Sequence, residues 1–221
     1  MQIALFQNIR QELLNELDKA QSQIKVAVAW FTNHHLFEKL CEKVSKGISV
    51  ELIVIDDYIN NGDWGLNFQH FINIGGKLYY GKEENPMHHK FCIIDNSILF
   101  NGSYNWTYYA ESRNVENTIK FINNVPLNQQ FLSEFERLKL TLTPASIAIK
   151  RQMIEMELFN FFSVKNYLAN DLLYQGKQRK EIKFVEAATR ILPNNQTIKV
   201  EYQRLSQEVL IKKTVLYRNV C

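Results

Sequence analysis

The chain has 221 residues, is 46% hydrophobic and 22% charged, and carries a formal net charge of +3. That is enough apolar chain to fold without disulfides, and its three cysteines, Cys41, Cys92 and Cys221, show no metal-ligand spacing and suit a reducing compartment. The longest apolar run of the first half, "VAVAWF", falls far short of a membrane span, and the N-terminus lacks a signal-peptide pattern, so a cytoplasmic protein with no membrane attachment is expected.

In chain order, Leu5, Ile9, Leu13, Leu17 and Ala20 recur at helical spacing and predict a helix over residues 5–20. "IKVAVAWF" reads as a buried strand. Thr32 and Asn33 are candidate caps for a helix that places Leu36, Phe37, Leu40 and Val44 on one face and stops at Gly47. "ISVELIVID" is a second buried strand, "WGLNFQHFINIGG" a helix closed by Gly75 and Gly76, and "KLYYG" a third strand. Strands alternating with helices predict an α/β sheet with crossovers. "KFCIID" and "ILFNG" around Asn96 and Ser97 form a hairpin signature, "VENTIKFI" a further strand, and "LNQQFLSEFERLKLT" a helix with Phe131, Phe135 and Leu138 in step.

"TLTPAS" marks an expected boundary, with Thr143 as cap and Pro144 in a first helical turn. It divides the chain into an α/β domain, 1–143, and an all-helical extension, 144–221. Stripes of apolar residues follow: Ile154, Leu158, Phe161, Phe162, Leu168 and Leu172, then Ile182, Val185, Ala188 and Ile191, then Ile198, Tyr202, Leu205 and Val209. Residues 1–143 carry 13 Lys+Arg against 16 Asp+Glu, and residues 144–221 carry 13 against 7. The basic extension reads either as a solvated helix surface or as a phosphate-contacting one. It could also bind a protein partner or pack back onto the α/β domain.

Chemistry concentrates in "MHHKFCIIDNSILFNGSYNW", residues 87–106. The spacing is His88-x-Lys90-x4-Asp95-x6-Gly102-Ser103-x-Asn105. Six fixed positions make this a specific signal, unlike a lone histidine pair. Strand alternation puts His88 and Lys90 on one face and His89, Phe91 and Ile93 on the other, which is expected to be core. A neutral imidazole can attack phosphorus if an acceptor holds its other nitrogen; Glu116 is the candidate acceptor. Lys90 supplies a point charge for phosphate oxygens, and Ser103 and Asn105 supply neutral hydrogen bonds. Gly102 permits close backbone approach at a strand end. Asp95, at the hairpin turn, is read as structural rather than as the histidine's partner. A metal site of His88, His89 and Asp95 is disfavoured, because adjacent strand residues diverge and Lys90 would repel a cation. His34 and His35 open a helix, and His70 lies on a helix surface. Trp106 and Tyr108 either stack bases or pack beneath the loop.

The motif resembles the HKD motif of the phospholipase D superfamily at every one of those positions, and "NWTYYAESRNVEN" resembles its single-motif nucleases. The resemblance covers about residues 1–140. It implies a phospholipase D-like mixed sheet flanked by helices, followed here by the helical extension. It also implies a two-step phosphodiester displacement through a phosphohistidine, without metal or other cofactor. That scheme needs two histidines at one phosphate, and this chain holds one motif. A homodimer through the catalytic domain, sharing one site on its two-fold axis, is therefore expected. The substrate class implied is nucleic acid, DNA or RNA. The alternatives are a phospholipase D-type lipid phosphodiesterase and a non-catalytic dimeric scaffold.

Overall fold

Short apolar, β-branched runs build the centre of the first half of the chain. The structure, a computed structural model, describes residues 1–82, 86–152 and 162–218. Among them β1 (Gln2–Leu5), β2 (Gln23–Val28), β3 (Ser49–Ile55), β4 (Lys77–Gly81), β5 (Lys90–Ile94), β6 (Ile98–Gly102) and β7 (Thr118–Ile122) form one sheet in the order β1-β7-β6-β5-β2-β3-β4. β2, β3 and β4 run parallel. Parallel neighbours need crossovers, which pass through α2 (His34–Ser45), and through α3 (Tyr58–Asn61) and α4 (Phe68–Asn73). The remaining pairs are antiparallel, so the sheet is mixed.

Both faces of the sheet are covered. Ile24, Val26, Val28, Leu52 and Val54 pack with Leu13 and Leu17 of α1 (Ile9–Lys19) and with Leu36, Leu40 and Phe71. The opposite face sets Ala27, Ile53, Phe91, Ile93 and Leu99 against Phe135 of α6 (Val125–Leu140). Phe135 is fully buried, so truncating it to alanine should cost about 3–5 kcal/mol. Strand alternation also puts Lys25 on the α6 side. There it pairs with Glu51 at 2.5 Å and Glu136 at 3.1 Å, and Lys139 closes on Glu51 at 2.6 Å. Burial pushes the Glu51 carboxyl up, but hydrogen bonds from Lys139 and Lys25 outweigh it and bring the pKa down to about 2.

Local sequence sets the helix ends. Asn33 caps α2, its side chain accepting from the His35 and Leu36 amides at 3.1 and 3.4 Å, and Gly47 takes a positive φ of 85° just past the end. Thr107 caps α5 (Tyr108–Ser112) and Asn124 caps α6 in the same way.

Several expectations are corrected. Leu5 belongs to β1, not to the first helix; β1 pairs antiparallel with β7 at the sheet edge. The helix expected over residues 64–76 shrinks to α4, because Asn67 caps it. Thr143 and Pro144 do not open a helix. Residues 144 and 145 instead join the β4 edge, and the chain goes on to the β3–α3 turn: Tyr79 bridges Pro144, the Ala145 amide donates to the Leu78 carbonyl at 2.8 Å, and Arg151 pairs with Asp56 at 3.0 Å. An unpaired edge of backbone groups outcompetes a cap signal that promises only local bonds. The stripe positions Ile154, Leu158 and Phe161 lie outside the described residues.

The chain forms two compact units, 1–156 and 157–221. The second unit contains α7 (Phe162–Arg179), α8 (Ile182–Ile191) and α9 (Gln196–Arg218). Leu168, Leu172, Val185, Ala188, Ile198 and Leu205 are buried in it. A Cβ on Gly176 would come within 2.4 Å of Val185, so glycine lets α7 and α8 approach closely. Among the described residues, no helix is long and apolar enough to cross a membrane.

Candidate phosphodiester site

The site lies beyond the carboxyl ends of the parallel strands, where ligands gather in α/β sheets. β5 begins at Lys90 and pairs with the end of β2, with Val28 opposite Lys90. The Ala29 amide donates to the His89 carbonyl at 3.1 Å, continuing the pairing past the strand. This places Trp30 across from His88, their rings edge to face with centroids 6.0 Å apart.

His88 and Lys90 meet: Lys90 Nζ lies 3.0 Å from His88 Nδ1 and donates to the His88 carbonyl at 2.7 Å. Burial, then the Lys90 charge, then His89 hold the His88 imidazole below its ordinary range, favouring the neutral ring. Burial also pushes the Lys90 ammonium down to about 8, although Glu116 pulls it up. Among the described residues no carboxylate lies within ion-pair distance of Lys90.

β6 ends at Gly102, and the next residues return beside the segment leading into β7. A Cβ on Gly102 would sit 2.1 Å from the Asn117 carbonyl oxygen, so only glycine fits without movement. The Ser103 amide donates to that carbonyl at 3.0 Å, and the Asn117 amide donates to Ser103 Oγ at 3.1 Å. Ser103 Oγ in turn donates to Glu116, whose other oxygen accepts from Asn114 Nδ2 at 2.7 Å. Asn105 is buried, its Oδ1 accepting from the Trp30 amide at 3.3 Å. Lys90, Ser103, Asn105 and Glu116 are thus gathered around one strand end with His88. The hydrogen bond expected from His88 to Glu116 is not made: Lys90 occupies Nδ1, and Ser103 and Asn114 occupy the carboxylate.

Asp95 lies at the far end of β5 and touches neither histidine. Asp95 and Asn96 take φ of 51° and 53°, the left-handed geometry of a primed hairpin turn. Its carboxylate accepts from the Gln21, Ser22 and Gln23 amides and from Ser22 Oγ, at 2.7–2.9 Å.

His89 is corrected from core to exposed. It lies before the strand, past the layer that α6 covers, and its Nε2 sits 3.1 Å from Glu134. Trp106 and Tyr108 are buried and pack beneath the loop, Trp106 against Phe31 at 5.1 Å. Two residues escaped sequence reasoning: Trp30, and Asp57, which accepts from the Trp30 indole N–H at 2.7 Å. The available signal was position, since Trp30 lies two residues past the end of a parallel strand.

Metal-ligand geometry arises elsewhere among the described residues. His34, His35 and Glu38 bring ligand atoms within 4.8 Å of one another. They occupy the first turns of α2, whose amide end opposes a cation.

Residues 13–139 match the family model described as "Cardiolipin synthase, PLD-like domain". The chain is 31% identical over 125 residues to the mitochondrial cardiolipin hydrolase of Chlamydomonas reinhardtii, covering 57% of this chain and 55% of that protein. It is 30% identical over 128 residues to that of Mus musculus, covering 57% and 56%. The match therefore spans little more than half the length of these relatives. Nuc from Salmonella typhimurium, a phospholipase D family member, superposes with a TM-score of 0.59 at 22% identity, over 66% of this chain and 99% of that one. NucT from Helicobacter pylori superposes with a TM-score of 0.55 at 20% identity, again over 66% and 99%. These structures share the fold. With more than half its residues matched by the family model, the chain belongs to the phospholipase D-like family.

Proposed function

We propose that the protein is an endonuclease that cleaves DNA or RNA through a covalent phosphohistidine, without a metal ion, at a site shared by two copies of the chain. The observation that carries this reading is the pairing of a neutral-biased imidazole, His88, with an ammonium, Lys90, that has no carboxylate partner among the described residues. An incoming phosphate supplies the missing anion. Lys90 then turns from His88 Nδ1 to the phosphate oxygens, Nδ1 takes up a proton from water as Nε2 gives one back, and the new Nδ1–H donates to Glu116. That bond fixes the tautomer with its lone pair on Nε2 and stabilises the positive charge that develops on attack.

His88 Nε2 attacks phosphorus, and the bond from phosphorus to the leaving oxygen breaks. The partner subunit's His88, protonated, gives that oxygen its proton. Water then attacks the phosphohistidine while the partner subunit's His88 takes a proton from it, and the P–N bond breaks. Ser103 and Asn105 hold the non-bridging oxygens. The helices α7, α8 and α9 are proposed as a basic module that contacts the nucleic acid or a protein partner, and the cytoplasm as the site of action.

The names of the similar proteins point to two phosphodiesters, cardiolipin and, through Nuc and NucT, nucleic acid. The wall beside His88 favours the second. Lys82, His89 and Arg137 line it, groups suited to a polyanion bearing rings rather than to acyl chains. The test incubates the protein in excess EDTA with plasmid, single-stranded DNA, RNA and cardiolipin vesicles. Cleavage of a nucleic acid is expected. Hydrolysis of the vesicles alone would replace the nuclease with a lipid phosphodiesterase, and loss of all activity in EDTA would remove the metal-free scheme.

A further inference from the structure

A cavity of about 520 Å³ opens beside His88, between the end of β4, the segment entering β5 and the last turns of α6. The chemistry proposed above does not use it. Its size falls in the range of small-molecule sites. We propose that this cavity is a nucleoside pocket, which seats the base and sugar adjoining the scissile phosphate. The proposal rests on the nuclease reading.

The lining matches that ligand. Met87, Leu138 and Leu142 supply apolar contact, while His89 and Arg137 supply planar groups. Glu134 fixes both planes: Arg137 donates to it through Nε at 2.6 Å and Nη2 at 2.7 Å, and His89 Nε2 lies 3.1 Å away. A guanidinium and an imidazole held in place are surfaces on which bases stack. This also accounts for His89, whose neighbouring position to His88 gives it no part in phosphoryl transfer.

Two alternative ligands fit less well. A second phosphate would meet the carbonyl end of α6, since Leu138, Thr141 and Leu142 line the cavity, and that end repels anions. An acyl chain would bury against Lys82, His89 and Arg137, stripping charged groups of water without replacing their bonds. A base held in a duplex cannot enter, so the residue seated here is unpaired.

The test uses single-stranded oligonucleotides that carry one abasic residue at successive positions around the cleavage point, with Thr141→Trp and Arg137→Ala as variants. Thr141 is exposed, so the indole fills the cavity from its rim. In the wild type, losing the base at one position next to the scissile phosphate should lower kcat/KM about tenfold to a hundredfold, mostly through KM, as stacking energies predict. In both variants the intact and abasic strands should be cut at nearly the same rate, with melting temperatures showing that they are folded. Equal cleavage of intact and abasic strands by the wild type would overturn the pocket while leaving the nuclease standing. So would an abasic penalty that persists in folded Thr141→Trp. If the wild type cuts no oligonucleotide yet hydrolyses methyl 4-nitrophenyl phosphate or cardiolipin vesicles, the nuclease reading fails and the pocket fails with it.

Discussion

The two ends of the β5–β6 hairpin are built from one motif and treat charge in opposite ways. At the turn, the Asp95 carboxylate collects four hydrogen bonds from residues 21–23. Burial alone would raise its pKa, but those bonds, from Gln23 first, hold it below the usual carboxylate range. At the other end, about one strand length away, burial leaves the Lys90 ammonium easier to deprotonate than a free lysine. It leans on a neutral ring and a carbonyl instead of an anion. The satisfied charge ties the hairpin to the start of β2. The other has no anionic partner among the described residues, which is the place the proposed substrate phosphate would take.

Substitutions can break that contrast. Lys90→Ala should lower kcat about a thousandfold, the scale of losing a donor aimed at developing charge, while the melting temperature holds or rises. Parallel losses of stability and activity would merge the two ends into one structural unit. Asp95→Ala should do the reverse. Removing an acceptor of several hydrogen bonds to a charged group should cost about 2–4 kcal/mol, read by denaturant titration, with turnover per folded molecule changed less than about threefold. Because the folded Asp95 pKa lies below 3.8, its contribution is full above that value and fades as pH falls through the folded pKa. Asp95→Asn should therefore flatten the acid side of the stability curve.

A smaller effect sharpens the open end. One His88 must be neutral to attack and the partner subunit's His88 protonated to act as the acid, so kcat/KM should peak near the pKa of the pair, below 6.5, and fall on either side. Lys90 must be charged, so kcat/KM should fall again as pH rises through about 8. In Lys90→Arg that second fall should vanish from the measured range, because a guanidinium keeps its proton, leaving the one set by the partner subunit's His88. A second fall unmoved by that change would assign it to another group.

Much of this site is legible in the sequence because its information is local. Alternation along β5 and the fixed spacing to Gly102, Ser103 and Asn105 place Lys90, Ser103 and Asn105 near His88 without knowledge of the rest of the chain. What failed depends on distant partners. His89 shares a face with Phe91 yet is exposed, since the layer formed by Phe131 and Phe135 ends before it. β1 is four residues with alternating partial exposure, and its register comes from β7, more than a hundred residues later. Pro144 carries a helix-start signal but is claimed by Tyr79 on a sheet edge. Glu116 is brought to the site with its oxygens already engaged by Ser103 and Asn114, a competition that no spacing rule encodes.

The central claim is that His88 becomes covalently attached to phosphorus. It can be tested by incubating the protein in excess EDTA with a single-stranded oligonucleotide bearing a radiolabelled internal phosphate, then quenching in base. The expected result is a base-stable, acid-labile label on the wild type and on His89→Ala, and none on His88→Ala. A label on His88→Ala, or cleavage by the wild type with no label trapped at any time of quenching, would contradict it.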